Sequence, residues 1–159
     1  MNYIPSYTNL HNTGELQKRI SALTDMLKEC RLCPRHCKVN RLQGEPGFCR
    51  AGATLMLSSA FAHFGEEAPL VGSMGSGTIF LTHCNLRCIF CQNHDISHRG
   101  QGEAVTAQQM AAYMVALQQR GCHNINFVTP THYVPQIITA LPYAIDRGLR
   151  IPLVYNCGG

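Results

Sequence analysis

The uneven spacing of nine cysteines constrains this chain more than any other feature of its sequence. Four lie in one short segment, three in a second and two stand alone: Cys30, Cys33, Cys37 and Cys49, then Cys84, Cys88 and Cys91, then Cys122 and Cys157. The amino terminus lacks a basic start followed by an apolar stretch, so we predict no secretory signal and a cytoplasmic location. Closely spaced cysteines in such a protein indicate metal binding or catalysis rather than disulfides.

Charge and hydropathy narrow the classes of function. No apolar run approaches the ~20 residues of a membrane span, so we expect no membrane segment. Lysine and arginine exceed acidic residues, 13 to 9, and part of the excess lies between residues 31 and 50. We interpret these cations as a solvated loop that offsets nearby thiolates, with a surface for an acidic partner as the alternative. Aromatic residues do not interleave with them, which argues against nucleic-acid binding.

Periodicity divides the chain into two parts. Residues 1–12 resemble an irregular lead-in, residues 14–29 carry a helical apolar stripe, and residues 30–52 form a cysteine-rich loop. A strand is predicted over 53–61 and a glycine-rich link over 65–77. We place the domain boundary in that link, with an N-terminal helix and cysteine-rich segment at 1–74 and a second part at 75–159.

The second part alternates strands and helices. Strands are predicted at 78–81, 125–128 and 151–155, and helices at 106–120 and 133–147, the latter kinked at Pro142. Such alternation is typical of an α/β fold with parallel strands and right-handed crossovers. A complete barrel takes ~250 residues, so we predict a partial, incomplete parallel βα barrel. Its last strand would be an exposed edge, and we expect either a fragment or a partner that covers it.

The central cysteines follow the first of these strands directly. Cys84, Cys88 and Cys91 lie within eight residues, and soft thiolates favour zinc or an iron–sulfur cluster over hard cations. Three ligands suit a [4Fe–4S] cube with one open iron, whereas zinc would require a fourth ligand, for which His83 and His94 are the candidates. In parallel barrels the strand ends meet at one mouth. The segments after the next two strands, which begin at Thr129 and Asn156, would therefore face these cysteines.

The N-terminal cysteines form a second candidate metal site. Cys30, Cys33, Cys37 and Cys49 fall within twenty residues, and four thiolates can close a tetrahedral site. Structural zinc, an auxiliary iron–sulfur cluster and a metal-free loop stay open as alternatives. His36 is a candidate to replace one thiolate.

The central segment also resembles a known superfamily. CNLRCIFC matches the CxxxCxxC signature of radical S-adenosylmethionine (SAM) proteins, with an aromatic residue, Phe90, before the last cysteine. The surrounding GSGTIFLTHCNLRCIFCQN, together with the CPRHC, GEE and VTPTH segments, is similar to the pyruvate formate-lyase-activating-enzyme-like branch. This resemblance covers most of residues 30–159.

The resemblance implies a barrel of radical SAM type and an oxidoreductase. Cys84, Cys88 and Cys91 would hold a [4Fe–4S] cluster whose fourth iron binds SAM, and reductive cleavage would give methionine and a 5′-deoxyadenosyl radical for hydrogen abstraction. The residues that it places near SAM are Phe90, Asn93, Thr129, His132 and Asn156. Activating enzymes often carry a Gly-Gly-Glu type segment after the second strand, where this chain has Thr-Pro-Thr-His.

The same resemblance implies partners. An electron donor such as flavodoxin or ferredoxin would reduce the cluster, and a glycyl-radical enzyme would be the protein substrate. No individual catalytic residue is predicted. The alternative function is that of a truncated, non-catalytic iron–sulfur or zinc protein, because only three barrel strands are predicted.

Overall fold

A computed structural model describes residues 4–158 of the chain. Within these residues six α-helices occur: α1 (Ser6–Asn12), α2 (Glu15–Asp25), α3 (Ala68–Val71), α4 (His94–Ser97), α5 (Ala107–Gln119) and α6 (Val134–Asp146). Five strands occur in the same range: β1 (Leu55–His63), β2 (Ser76–Leu81), β3 (Glu103–Val105), β4 (Ile125–Val128) and β5 (Leu153–Asn156). Two short 3₁₀ turns cover Arg41–Gln43 and Thr131–Tyr133.

The strands form one mixed, open sheet in the order β3-β1-β2-β4-β5. β2, β4 and β5 are parallel, whereas β1 pairs antiparallel with both β2 and β3. The α/β class is therefore confirmed, and the described sheet does not close into a barrel. β1 belongs to the predicted N-terminal part, yet it pairs with β2 of the second part from Leu57 opposite Leu81 to His63 opposite Ser76.

The helices pack around this sheet through apolar faces. α5 and α6 pack against each other, and α2 packs on α6. α5 begins with a capping box, in which the Thr106 side chain accepts from the Gln109 backbone N–H and the Gln109 side chain accepts from the Thr106 N–H. Met110 and Met114 of its inner face are fully buried. This core fixes the positions of β2 and β4, whose carboxyl ends carry the candidate site.

Most predicted elements of the second part are confirmed within two residues at their ends. The helix expected to begin at residue 133 begins at 134, and it continues through Pro142 to Asp146. The irregular lead-in was wrong for residues 6–12, which form α1, because Tyr7 is anchored in the core and its hydroxyl donates to the carbonyl of Ile151 at 2.7 Å. The glycine-rich link contains the short helix α3, and β3 had no sequence prediction.

None of the helices in residues 4–158 is long and apolar enough to span a membrane. The cationic segment is not uniformly solvated, because Arg41 is 1% exposed. Its guanidinium donates to the backbone carbonyls of Gly52 and His132, so this residue is part of the packed structure.

Candidate metal centre

The loop after β2 carries the three central cysteines. Its first residues are fixed by two backbone bonds, from Thr82 N–H to the Met56 carbonyl at 3.0 Å and from His83 N–H to the Ile96 carbonyl at 2.9 Å. His83 and Arg87 have positive φ angles of 62° and 51°. These two left-handed positions lie directly before Cys84 and Cys88, where the loop changes direction.

Cys84, Cys88 and Cys91 line one cavity of about 110 Å³. Cys84 is buried and the other two are half-buried. Val128 and Thr129, at the carboxyl end of the neighbouring strand β4, line the same cavity. The predicted meeting of these two strand ends is therefore present in the structure, and it follows from the parallel pairing of β2 with β4.

Two of the sulfurs accept hydrogen bonds. The Leu86 N–H donates to Cys84 Sγ at 3.4 Å, and the Ser97 hydroxyl donates to Cys91 Sγ at 3.3 Å. Hydrogen bonds to the sulfurs are among the features that tune the potential of iron–sulfur clusters. Ser97 is itself buried in α4 and also hydrogen-bonds with His98 Nδ1 at 2.8 Å. When that ring nitrogen carries the proton, the short helix supplies the Ser97 hydroxyl as a donor to this set of thiols.

The charge around the cavity favours anionic ligands. Arg87 lines the cavity, and none of the described residues that line it is a carboxylate. Burial, assisted by the charges of Arg50 and Arg87, lowers the pKa of His83. That imidazole is therefore neutral at neutral pH, and Arg87 is the cation in the wall of the cavity. His94, the other candidate fourth ligand for zinc, stacks on His98 at 4.4 Å and does not line the cavity.

The residues that the resemblance places near SAM are spread over different environments. Asn93 and Thr129 line the cavity with the cysteines. Thr129 adopts a φ of 46°, an outlier for a β-branched residue, and its N–H donates to the Asn156 carbonyl at 2.8 Å. Asn156 is exposed at the end of β5, and Phe90 is 90% exposed at the tip of the loop.

His132 differs most from its predicted position. It is 1% exposed, and its Nε2–H donates to the Thr82 carbonyl at 2.9 Å. Burial lowers its pKa to about 4, which keeps the ring neutral as a donor. His132 does not line the cavity of the central cysteines but that of the N-terminal ones, so its neighbours there are Arg41 and the N-terminal loop.

The four N-terminal cysteines line a second, smaller cavity. Its lining includes Cys30, Cys33, Cys37 and Cys49 together with Arg35, Arg41 and His132. Burial raises the pKa of the Cys49 thiol. His36 is exposed and lies outside this lining, whereas Cys122 is buried in the main core and Cys157 is exposed.

Two arginines connect the loops that contain these cavities. Arg35 donates from Nε to the Asn85 carbonyl at 2.6 Å, and Arg87 donates to the Phe48 carbonyl at 3.2 Å. The Arg35 guanidinium also lies 3.3 Å from the centre of the Phe48 ring. This connection could not be predicted from the sequence, because each arginine donates to a backbone carbonyl of a distant segment.

The donor sets fit soft metal chemistry, although their side chains would have to rotate to surround a metal. Among residues 4–158, no three His, Cys, Asp or Glu side chains are arranged so that they could hold one metal ion. The fit of the central site rests instead on three thiols around one cavity, two of them with hydrogen-bond donors. Such a set suits an iron–sulfur cluster with one open position.

Comparison with known proteins gives one informative relative. The chain is 34% identical over 150 residues to an uncharacterized protein of Methanocaldococcus jannaschii, an alignment that covers 89% of this chain and 42% of the relative. The chain thus spans less than half the length of that protein. No family model matches the chain, and no solved structure matches it.

Proposed function

We propose that this chain is the cluster-binding part of a radical SAM enzyme. The observation that carries the proposal is the single cavity lined by Cys84, Cys88 and Cys91 and bordered by Thr129 of the neighbouring strand end. The parallel strands β2, β4 and β5 would then be the first strands of an incomplete barrel of radical SAM type. A bound [4Fe–4S] cluster would supply reductive cleavage of SAM to a 5′-deoxyadenosyl radical.

The protein's own residues would bind and orient the reactants. The three thiolates would hold the cluster and leave one iron open, and the Leu86 N–H and Ser97 hydroxyl would stabilise the sulfur charge. Asn93 and Thr129 present polar groups at the cavity where SAM would bind. The exposed Phe90 would cover the adenine once SAM is present, which would exclude water from the site.

The proposal includes two kinds of partner. Electrons would come from a flavodoxin or ferredoxin, which would approach the exposed side of the loop near Ile89, a residue that is 96% exposed. A glycyl-radical enzyme is the proposed protein substrate. Both partners follow from the resemblance of the central segment rather than from a contact within this chain.

Anaerobic reconstitution with iron and sulfide tests the proposal. We expect about four irons bound through the central cysteines, an EPR signal after reduction that changes when SAM is added, and release of 5′-deoxyadenosine. Cys88→Ala should abolish this iron, whereas the matched control Cys157→Ser, a change at an exposed cysteine, should retain it. Unchanged iron in Cys88→Ala would refute the ligand assignment.

The same preparation separates catalysis from simple metal binding. A non-catalytic iron–sulfur or zinc protein would hold its metal but release no 5′-deoxyadenosine. Since the chain spans 42% of its relative, the assay is run both with this chain and with that full-length relative. Failure of SAM cleavage in both, with the cluster intact, would support the non-catalytic alternative.

A further inference from the structure

We propose that Cys30, Cys33, Cys37 and Cys49 bind one zinc ion as a closed tetrathiolate site. This site is separate from the cavity of Cys84 and does not depend on the proposed SAM chemistry. The four cysteines are contributed by one loop between α2 and β1. The inference rests on the size of their cavity, the local backbone and the charge buried beside it.

The size of the cavity indicates a single ion. The four thiols line a space of about 10 Å³, against about 110 Å³ for the central cysteines. A volume of this order holds about one water-sized sphere. A cube of four irons and four sulfides would need the loop to open, whereas one ion would not.

The backbone brings the first and third cysteines of the loop together. Cys30 N–H donates to the Val39 carbonyl, and Lys38 N–H donates to the Cys30 carbonyl, both at 2.9 Å. Lys38 adopts a positive φ of 57°, which turns the chain directly after Cys37. The Phe48 N–H then donates to Cys37 Sγ at 3.4 Å, so a backbone donor already points at a candidate ligand.

Arg41 supplies independent evidence that negative charge belongs in this cavity. It lines the cavity and is 1% exposed, yet its guanidinium donates only to the neutral carbonyls of Gly52 and His132. Among the described ion pairs none involves Arg41. The guanidinium also lies 5.8 Å from the centre of the Tyr133 ring, but a buried cation without an anionic partner is costly. Four thiolates around Zn²⁺ carry a net charge of −2, which would offset it.

The donor set favours zinc, because four thiolates in tetrahedral geometry are typical of that ion. Thiolates exclude hard cations, and Zn²⁺ binds such sites more tightly than Fe²⁺. Four protein ligands leave no open position, which is the arrangement of a structural rather than a catalytic site. His36 lies outside the cavity, so the fourth ligand is Cys49. Binding would rotate the four side chains until their sulfurs surround the ion.

Metal analysis of a full-length variant that lacks the central ligands tests the site. The triple variant Cys84→Ser, Cys88→Ser, Cys91→Ser removes the proposed cluster site, so its result is independent of SAM chemistry. We expect one zinc per chain in this variant after purification. Adding Cys33→Ser should remove the zinc, whereas adding Cys157→Ser, at an exposed cysteine outside both cavities, should not.

X-ray absorption at the zinc edge gives a second measurement on the unsubstituted chain. After reconstitution with iron and sulfide, we expect four sulfur neighbours at about 2.3 Å from zinc. This result does not require any variant to fold. Absence of zinc, fewer than four sulfur neighbours, or iron bound to the N-terminal cysteines would overturn the proposal.

Discussion

The Nε atom of Arg35 donates to the backbone carbonyl of Asn85 at 2.6 Å. Arg35 lies between Cys33 and Cys37 of the N-terminal loop, and Asn85 directly follows Cys84. The same guanidinium lies 3.3 Å from the Phe48 ring centre. Together with the bond from Arg87 to the Phe48 carbonyl, this side chain holds the first cysteine loop against the second, so the order of the central loop depends on that of the N-terminal loop.

Replacing Arg35 with alanine should loosen the central loop without emptying the N-terminal site. A hydrogen bond from a charged donor contributes about 1.5–3 kcal/mol when buried. Arg35 is exposed, so we expect about 1 kcal/mol. We predict roughly fivefold faster iron release to a chelator from the reconstituted Arg35→Ala protein, with zinc content unchanged. The control Arg31→Ala removes an equally charged, exposed side chain whose partner is Glu29, and it should release iron at the original rate.

The backbone of Thr129 is strained at its position beside the cavity, so a residue better suited to this conformation should increase stability. Its φ of 46° lies in the left-handed region, which costs a β-branched residue about 1–2 kcal/mol and which asparagine tolerates. We predict that Thr129→Asn raises the free energy of unfolding by about 1 kcal/mol in urea while weakening SAM binding to the reconstituted protein. Thr54→Asn, at an exposed position with an ordinary φ, should change neither. A less stable Thr129→Asn protein would contradict the presence of strain.

The helices and strands of the second part could be predicted because local signals agreed with the tertiary structure. The capping box at Thr106 and the apolar face that α5 buries both indicate this helix. The antiparallel strands could not be predicted as part of this sheet, because pairing partners are set by tertiary packing. β3 is three residues long, too short for a periodic pattern, and β1 was assigned to a separate N-terminal part.

The grouping of the cysteines could be predicted from the sequence, whereas the residues that surround them could not. The spacing of thiols along the chain limits which of them can meet, so both groups could be read from sequence. The burial of Arg41 and His132 has no such local signal, since the cationic segment predicted a solvated loop and the resemblance placed His132 near SAM. Both side chains are oriented by backbone groups of distant segments, Gly52 and Thr82 respectively.

Gly100 lies against the ring of His83, at the start of the central loop. It has a φ of +70°, and a Cβ atom built there would lie 2.5 Å from the His83 ring. Gly148 has a φ of +92°, with nothing within 4 Å of its Cβ position. An alanine at either position is strained by about 1–2 kcal/mol, but only Gly100→Ala must also displace His83, the residue before Cys84.

Comparing Gly100→Ala with Gly148→Ala therefore separates the effect of backbone strain from the effect of a steric clash with His83. Both variants should lose about 1–2 kcal/mol in urea unfolding, and Gly100→Ala somewhat more. Only Gly100→Ala should release iron faster after reconstitution, because the displaced His83 ring alters the packing beside Cys84, whereas Gly148→Ala should keep the original rate. Equal iron release from the two variants would show that His83 does not position the central cysteines, and would leave the loop to be ordered by Arg35, Arg87 and its backbone bonds.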